Sequence, residues 1–140
     1  MTDSTSGTST ETDVASWGKW SGRWRNQYGS TLTITDESGQ RIRGTFRTAL
    51  GDSTFAGHEA EITGIHRGNC VHFAFSRSGP TGDTIASFTG LLRGERLETL
   101  WHVVADSAIK SPEPGQPPRL MELPWAHAAM TNADTFQRVH

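Results

Sequence analysis

Residues 22–30 read Gly-Arg-Trp-Arg-Asn-Gln-Tyr-Gly-Ser, and this stretch decides the fold. It has the form of the end of one β-strand, a tight turn and the start of the next strand. Residues two apart in a strand share a face, so Trp24 and Asn26 point the same way. Beyond the turn, Ser30, Leu32 and Ile34 share one face and Thr31, Thr33 and Thr35 the other. With the apolar members turned to a core, Asn26 and Ser30 stand at its rim. An amide and a hydroxyl held there must find hydrogen-bond partners. Either they satisfy each other, or they await a polar ligand.

The same two-residue period continues outward along the chain. Turn signals at Glu37-Ser38-Gly39, Arg67-Gly68-Asn69, residues 78–82 and Arg93-Gly94-Glu95 separate short runs. In those runs Ile42, Gly44, Phe46 and Thr48 oppose Arg41, Arg43, Thr45 and Arg47. Ala60, Ile62 and Gly64 share a face, as do Val71, Phe73 and Phe75, then Thr84, Ala86, Phe88 and Gly90, then Leu97, Thr99, Trp101 and Val103. One dry face per strand, repeated about every ten residues, predicts an all-β antiparallel meander closing into a barrel or a sandwich. A further strand is expected over residues 129–139, with Met130, Asn132, Asp134 and Phe136 on one face.

Two features depart from a simple lone barrel. Ile85 and Leu91 point opposite to Phe88, and Leu100 and Val104 opposite to Trp101, so these strands are apolar on both faces. A barrel packed against a copy of itself accounts for that, and subunit association is expected. Residues 105–124 carry five of the six prolines, Pro112, Pro114, Pro117, Pro118 and Pro124. They are expected to form a surface loop rather than a strand or helix. The loop ends in Leu120, Met121, Leu123 and Trp125, which are too apolar for an idle linker.

At 140 residues the chain is expected to be one domain, residues 17–140, behind a disordered Ser/Thr/Asp-rich tail, residues 1–16. A net charge of −2, with the basic residues scattered, argues against a nucleic-acid partner. No apolar run approaches membrane-spanning length. The N-terminus lacks a basic segment and an apolar run, so it does not resemble a secretory signal. The chain is expected to be cytoplasmic or to have lost a leader. The single cysteine, Cys70, allows no internal disulfide. The six histidines are dispersed, and no catalytic or metal-binding motif is present in the sequence, so neither an enzyme nor a metal centre is expected.

The inner faces carry the chemistry. Asn26, Ser30, Thr48, Thr84 and Asp134 are polar residues on faces that also hold Phe46, Phe75, Phe88 and Trp101. An aromatic box with a few convergent polar groups is how a small-molecule pocket is built. An ordinary barrel core with a polar plug at one end fits the same pattern. Asp134 sharpens the choice, because an inward carboxylate is costly unless hydrogen-bonded. Asn26 can donate to it, and so can a ligand N–H. Asn26 and Ser30 can in turn donate to a ligand carbonyl, and the set suits a urea or an amide.

The segments RNQYGST (25–31), GTFRTALGD (44–52), TIASFTG (84–90), LETLWHVV (97–104) and ADTFQRV (133–139), in this order and spacing, resemble the avidin/streptavidin family of biotin-binding proteins. The resemblance implies an eight-stranded antiparallel up-and-down β-barrel. It also implies secretion, a homo-oligomer (dimer or tetramer), and biotin or biotinylated molecules as non-covalent partners with no cofactor. It implies that Asn26 and Ser30 donate to the ureido oxygen, while Asp134 and Thr48 accept from the ureido N–H groups. Phe75, Phe88 and Trp101 match aromatic walls. Leu50, Gly51 and Asp52 fall in the loop that closes over the ligand, where a backbone N–H meets the biotin carboxylate, and Thr84 matches a hydroxyl that meets the same carboxylate. Trp125 resembles the tryptophan that a neighbouring subunit inserts.

The departures predict weaker binding than streptavidin. Phe46 stands where the family usually has a tyrosine, the third donor to the ureido oxygen. Its loss is expected to cost about 1–3 kcal/mol, or about one to two decades in affinity. Ala86 replaces a hydroxyl, Phe75 and Phe88 replace tryptophans, and Asp52 places a mildly repulsive charge near the expected carboxylate. Trp125 lies one residue further from Asp134 than the family spacing. The alternatives are a barrel for another small amphipathic ligand, or an assembly module whose pocket is filled by Trp125 or residues 120–123.

Overall fold

The computed structural model describes residues 18–49, 58–78 and 82–140. In chain order the strands are β1 (Gly22–Asn26), β2 (Thr31–Asp36), β3 (Arg41–Arg47), β4 (Glu59–Arg67), β5 (Cys70–Arg77), β6 (Thr84–Arg93), β7 (Arg96–Ala105), β8 (Ser107–Lys110), β9 (Arg119–Glu122) and β10 (Ala129–Val139). A one-turn helix, α1 (Trp125–Ala128), precedes β10. Among the described residues eight strands close into an antiparallel barrel in the order β1-β10-β7-β6-β5-β4-β3-β2. The closing seam pairs Trp24 with Arg138 and Asn26 with Phe136. The barrel, rather than the sandwich, is the outcome of the alternation, and closure leaves no barrel edge unpaired.

Inward alternation holds strand by strand. Trp24, Leu32, Ile42, Phe73, Leu97 and Phe136 are fully buried, with Ile34, Ile62, Val71, Phe75 and Phe88 close behind. Two glycines mark where neighbouring strands approach too closely for a side chain. A Cβ on Gly44 would lie 1.9 Å from the Thr33 carbonyl oxygen, and one on Gly64 would lie 1.8 Å from that of His72. Inward glycine at these points allows the sharp coiling that a small closed barrel needs.

One end of the barrel is sealed. Trp24 Nε1 donates to the Trp20 carbonyl at 2.9 Å, and the Arg138 guanidinium lies 4.3 Å from the centre of the Trp24 ring. Arg138 also donates to the carbonyl oxygens of Ser21 and Lys19. Glu37 Oε2 accepts the backbone N–H groups of Trp20 and Ser21 at 3.1 and 2.7 Å. The opposite end holds the turn after β1 and the C-terminal ends of β3, β5 and β7, and it carries the site.

The proline-rich segment differs from expectation. β8 and β9 pair as a hairpin, with Ser107 opposite Glu122 and Lys110 opposite Arg119. The strands themselves contain no proline. Pro112, Pro114, Pro117 and Pro118 fall in the connection, where no ladder N–H is needed. Strands of four residues are too short for a two-residue period to announce them. β10 spans the expected residues, but its first half runs past the core: Met130 and Asn132 are exposed, while Asp134 and Phe136 are buried. The tail, residues 1–16, and Trp17 lie outside the described residues.

Candidate functional site

The turn after β1 organises the site. Gly29 takes φ +89, the left-handed region that glycine tolerates. Its N–H donates to the Asn26 carbonyl, and the Asn26 N–H donates to the Ser30 carbonyl. The Asn26 side-chain oxygen accepts two further N–H groups, from Tyr28 at 3.0 Å and Ser30 at 2.9 Å. Those two donors fix the amide orientation, because only the oxygen can face them. Asn26 Nδ2 is therefore aimed at the neighbouring strand β10, where it donates to Asp134 Oδ2 at 3.0 Å. One of its two N–H bonds is committed to Asp134.

Ser30 is similarly poised. Its Oγ accepts the Ala49 N–H at 2.8 Å, and Thr48 Oγ1 lies 3.5 Å away. A hydroxyl that already accepts still has its own proton to donate. Asp134 is buried and held twice, by Asn26 and by Gln27 Nε2 at 3.3 Å. Gln27 also accepts the Thr135 N–H at 3.1 Å, so its amide bridges the turn to β10 beside the carboxylate. Sequence alternation misses Gln27, which sits in the turn where the two-residue period has ended. An ionised carboxylate has about four acceptor positions, so two donors leave capacity for another.

These polar groups share a cavity with the aromatic residues. Asn26, Ser30, Thr48 and Asp134 line it together with Phe46, Phe75, Phe88 and Trp101, and with Ala86 and Val103. Phe46 stacks on Phe75 with centroids 4.9 Å apart, and Phe88 lies 5.6 Å from Phe46 and 6.5 Å from Trp101. The cavity measures about 90 Å³, small beside the roughly 300–1,000 Å³ of typical ligand pockets. Trp101 Nε1 is buried without a partner among the described residues.

Two expected residues lie elsewhere. Thr84 is buried but does not line this cavity; it lines a neighbouring groove of about 710 Å³ at the open rim. The reason is position along β6, since Thr84 is one inward step beyond Ala86. Trp125 is 75% exposed on α1 and borders the same groove with Leu123. Neither Trp125 nor residues 120–123 line the aromatic cavity, contrary to the expectation for a plugged, vestigial pocket. Leu50, Gly51 and Asp52 lie outside the described residues.

The avidin family model matches residues 15–114. The chain belongs to the avidin family. Solved structures with a similar fold include bradavidin2 in complex with biotin, at TM-score 0.63 and 18% identity over 85% of this chain and 96% of that one. Rhizavidin in complex with biotin matches at TM-score 0.64 and 21% identity, over 87% and 93%. Short afifavidin without ligand matches at TM-score 0.63 and 20% identity, over 87% and 97%. No curated protein matches the chain. At these identities the structural likeness establishes the avidin fold, which the barrel order and register display in full.

Proposed function

We propose that the protein binds biotin reversibly and without chemistry, holding the ureido head between Asn26, Ser30, Thr48 and Asp134. The observation that carries this reading is the Asn26–Asp134 hydrogen bond beside Ser30. It leaves donors at one end of the cavity and a carboxylate at its flank, complementary to a C=O with adjacent N–H groups. Phe46, Phe75, Phe88 and Trp101 remove the apolar ring from water. By the family resemblance Leu50 and Asp52 are assigned to the ligand, with Asp52 a mild repulsion toward its carboxylate, and Thr84 to its tail. Phe46 supplies no hydroxyl, so the affinity lies about one to two decades below that of a site with the third donor. Titration calorimetry with biotin tests the proposal: a saturable heat supports it, and no heat with no competition at millimolar biotin overturns it. A neutral amphipathic ligand without a urea is the second reading, favoured by the small cavity and by Phe46. A thermal-shift panel that ranks such ligands above biotin decides for it.

The protein acts as a homo-oligomer in this reading. Ile85, Leu100, Val104 and Met130 are large apolar residues exposed on β6, β7 and β10, and the exposed Trp125 borders a groove with Ile85 and Val104. A second copy covering that face buries them and brings Trp125 toward a neighbouring cavity. Light scattering on the eluting protein checks this; a monomer at micromolar concentration excludes it.

A further inference from the structure

The inner faces of β5, β6 and β7 do not stop at the aromatic cavity. Phe75, Ala86 and Val103 sit side by side in register and line it. One inward step further, about 6.8 Å along antiparallel strands, the next row is Arg77, Thr84 and Ala105, again side by side. All three line the rim groove. The groove also takes in the outward-facing Ser76, Ile85 and Val104, so it straddles the strand ends, and its inner row adjoins the cavity. Two polar side chains in the outer row are uncommitted. Arg77 makes no hydrogen bond or ion pair among the described residues, and Thr84, only 4% exposed, has no hydrogen-bond partner among them. A solvent-reachable hydroxyl beside a guanidinium, neither with a partner among the described residues, is an arrangement that an anion completes.

We infer that Arg77, with Thr84, recognises the tail carboxylate of the ligand and makes the protein selective for the free acid over neutral conjugates. This rests on the proposed biotin site. A ureido head between Asn26 and Asp134 directs a five-carbon tail along Ala86 and Val103, and one strand step brings its end to Arg77. A carboxylate there gains a charge-assisted contact; an amide does not. Asp83 and Asp106 also border the groove. Each is next in sequence to an inward residue, Thr84 or Ala105, so it belongs to the opposite pleat. Both are exposed and therefore screened, and Asp83 is engaged by the Ser78 hydroxyl.

The test compares biotin with biotinamide by calorimetry, on the unmodified protein and on Arg77→Gln, at low and high salt. The unmodified protein is expected to bind biotin about tenfold tighter than biotinamide at low salt, with the ratio shrinking as salt rises. Arg77→Gln is expected to weaken biotin alone, bringing the two ligands within about threefold. Unchanged biotinamide affinity in that variant serves as its folding control. Equal binding of both ligands by the unmodified protein, or an equal loss of both in Arg77→Gln, overturns the inference while leaving the biotin site standing. Binding of neither ligand overturns both.

Discussion

The Asn26 amide and the Asp134 carboxylate stand 108 positions apart in the chain and meet at 3.0 Å inside the barrel. The contact joins the first barrel strand to the last across the closing seam. It has two consequences, one for ligand binding and one for stability. Asp134→Ala removes an acceptor from the cavity and leaves the Asn26 and Gln27 amides facing an apolar gap. Asn26→Ala removes a donor and strands the Tyr28 and Ser30 N–H groups. Each variant is expected to weaken biotin binding by at least tenfold and to lower unfolding stability by about 1–3 kcal/mol. Calorimetry and denaturant melts read the two effects separately. Full affinity in Asp134→Ala would remove the carboxylate from the site.

Phe46 is the departure that a single oxygen can reverse. Its ring stacks on Phe75 and borders the cavity with Ser30 and Thr48. Phe46→Tyr adds a donor at the ring edge without changing the ring that packs. The variant is expected to bind biotin about ten- to hundredfold tighter, with little change in the unfolding midpoint of the free protein. A lower affinity would mean that the added hydroxyl clashes or is buried without a partner.

The two-residue period made the barrel and most of the cavity legible in the sequence. Asn26, Ser30, Phe46, Phe75, Phe88 and Asp134 follow from alternation alone, because a closed barrel has one inside and every second residue must enter it. Arg77 was equally accessible by that rule, two residues after Phe75, but its charge argues against an inward position until the rim is known to be open. Gln27 was beyond the rule, since it lies in a turn and reaches Asp134 across the seam. The β8–β9 hairpin was hidden because its four-residue strands flank a proline-rich connection, and composition outweighs so short a pattern. Thr84 was correctly placed inward, but the depth of a residue along its strand is set by register, which hydropathy does not report.

The sealed end carries its own pH dependence. Burial pushes the Glu37 carboxyl up, yet hydrogen bonds from the Ser21 hydroxyl and from the N–H groups of Ser21, Trp20 and Lys19 outweigh it and hold its pKa below the ordinary value. A carboxylate with a depressed native pKa stabilises the fold above its unfolded-state pKa, and that contribution is lost as pH falls through the native value. Asp36 is lowered as well, chiefly by the Ser38 N–H and hydroxyl, but it is fully exposed. Thermal melts are expected to show the midpoint falling as pH drops through the acid range. Glu37→Gln is expected to lower the neutral-pH midpoint and flatten that acid limb, whereas Asp36→Asn changes it less. An unaltered acid limb in Glu37→Gln would assign the pH dependence to other groups.

Gly64 and Gly68 separate two reasons for a glycine. At Gly64 an added Cβ would lie 1.8 Å from the His72 carbonyl oxygen and 2.7 Å from the Phe73 Cα, both backbone atoms of the paired strand. Backbone in a closed ladder cannot swing aside as a side chain can, so β4 and β5 must part. At Gly68 nothing lies within 4 Å of the added atom, and the cost is the left-handed φ of +56 alone, about 1–2 kcal/mol. Gly64→Ala is expected to destabilise by more than the roughly 1–3 kcal/mol of ordinary overpacking, while Gly68→Ala stays near its strain cost. Denaturant unfolding of the two variants measures the difference. Equal losses would show that the β4–β5 contact relaxes freely, which would contradict closure of the barrel by this register.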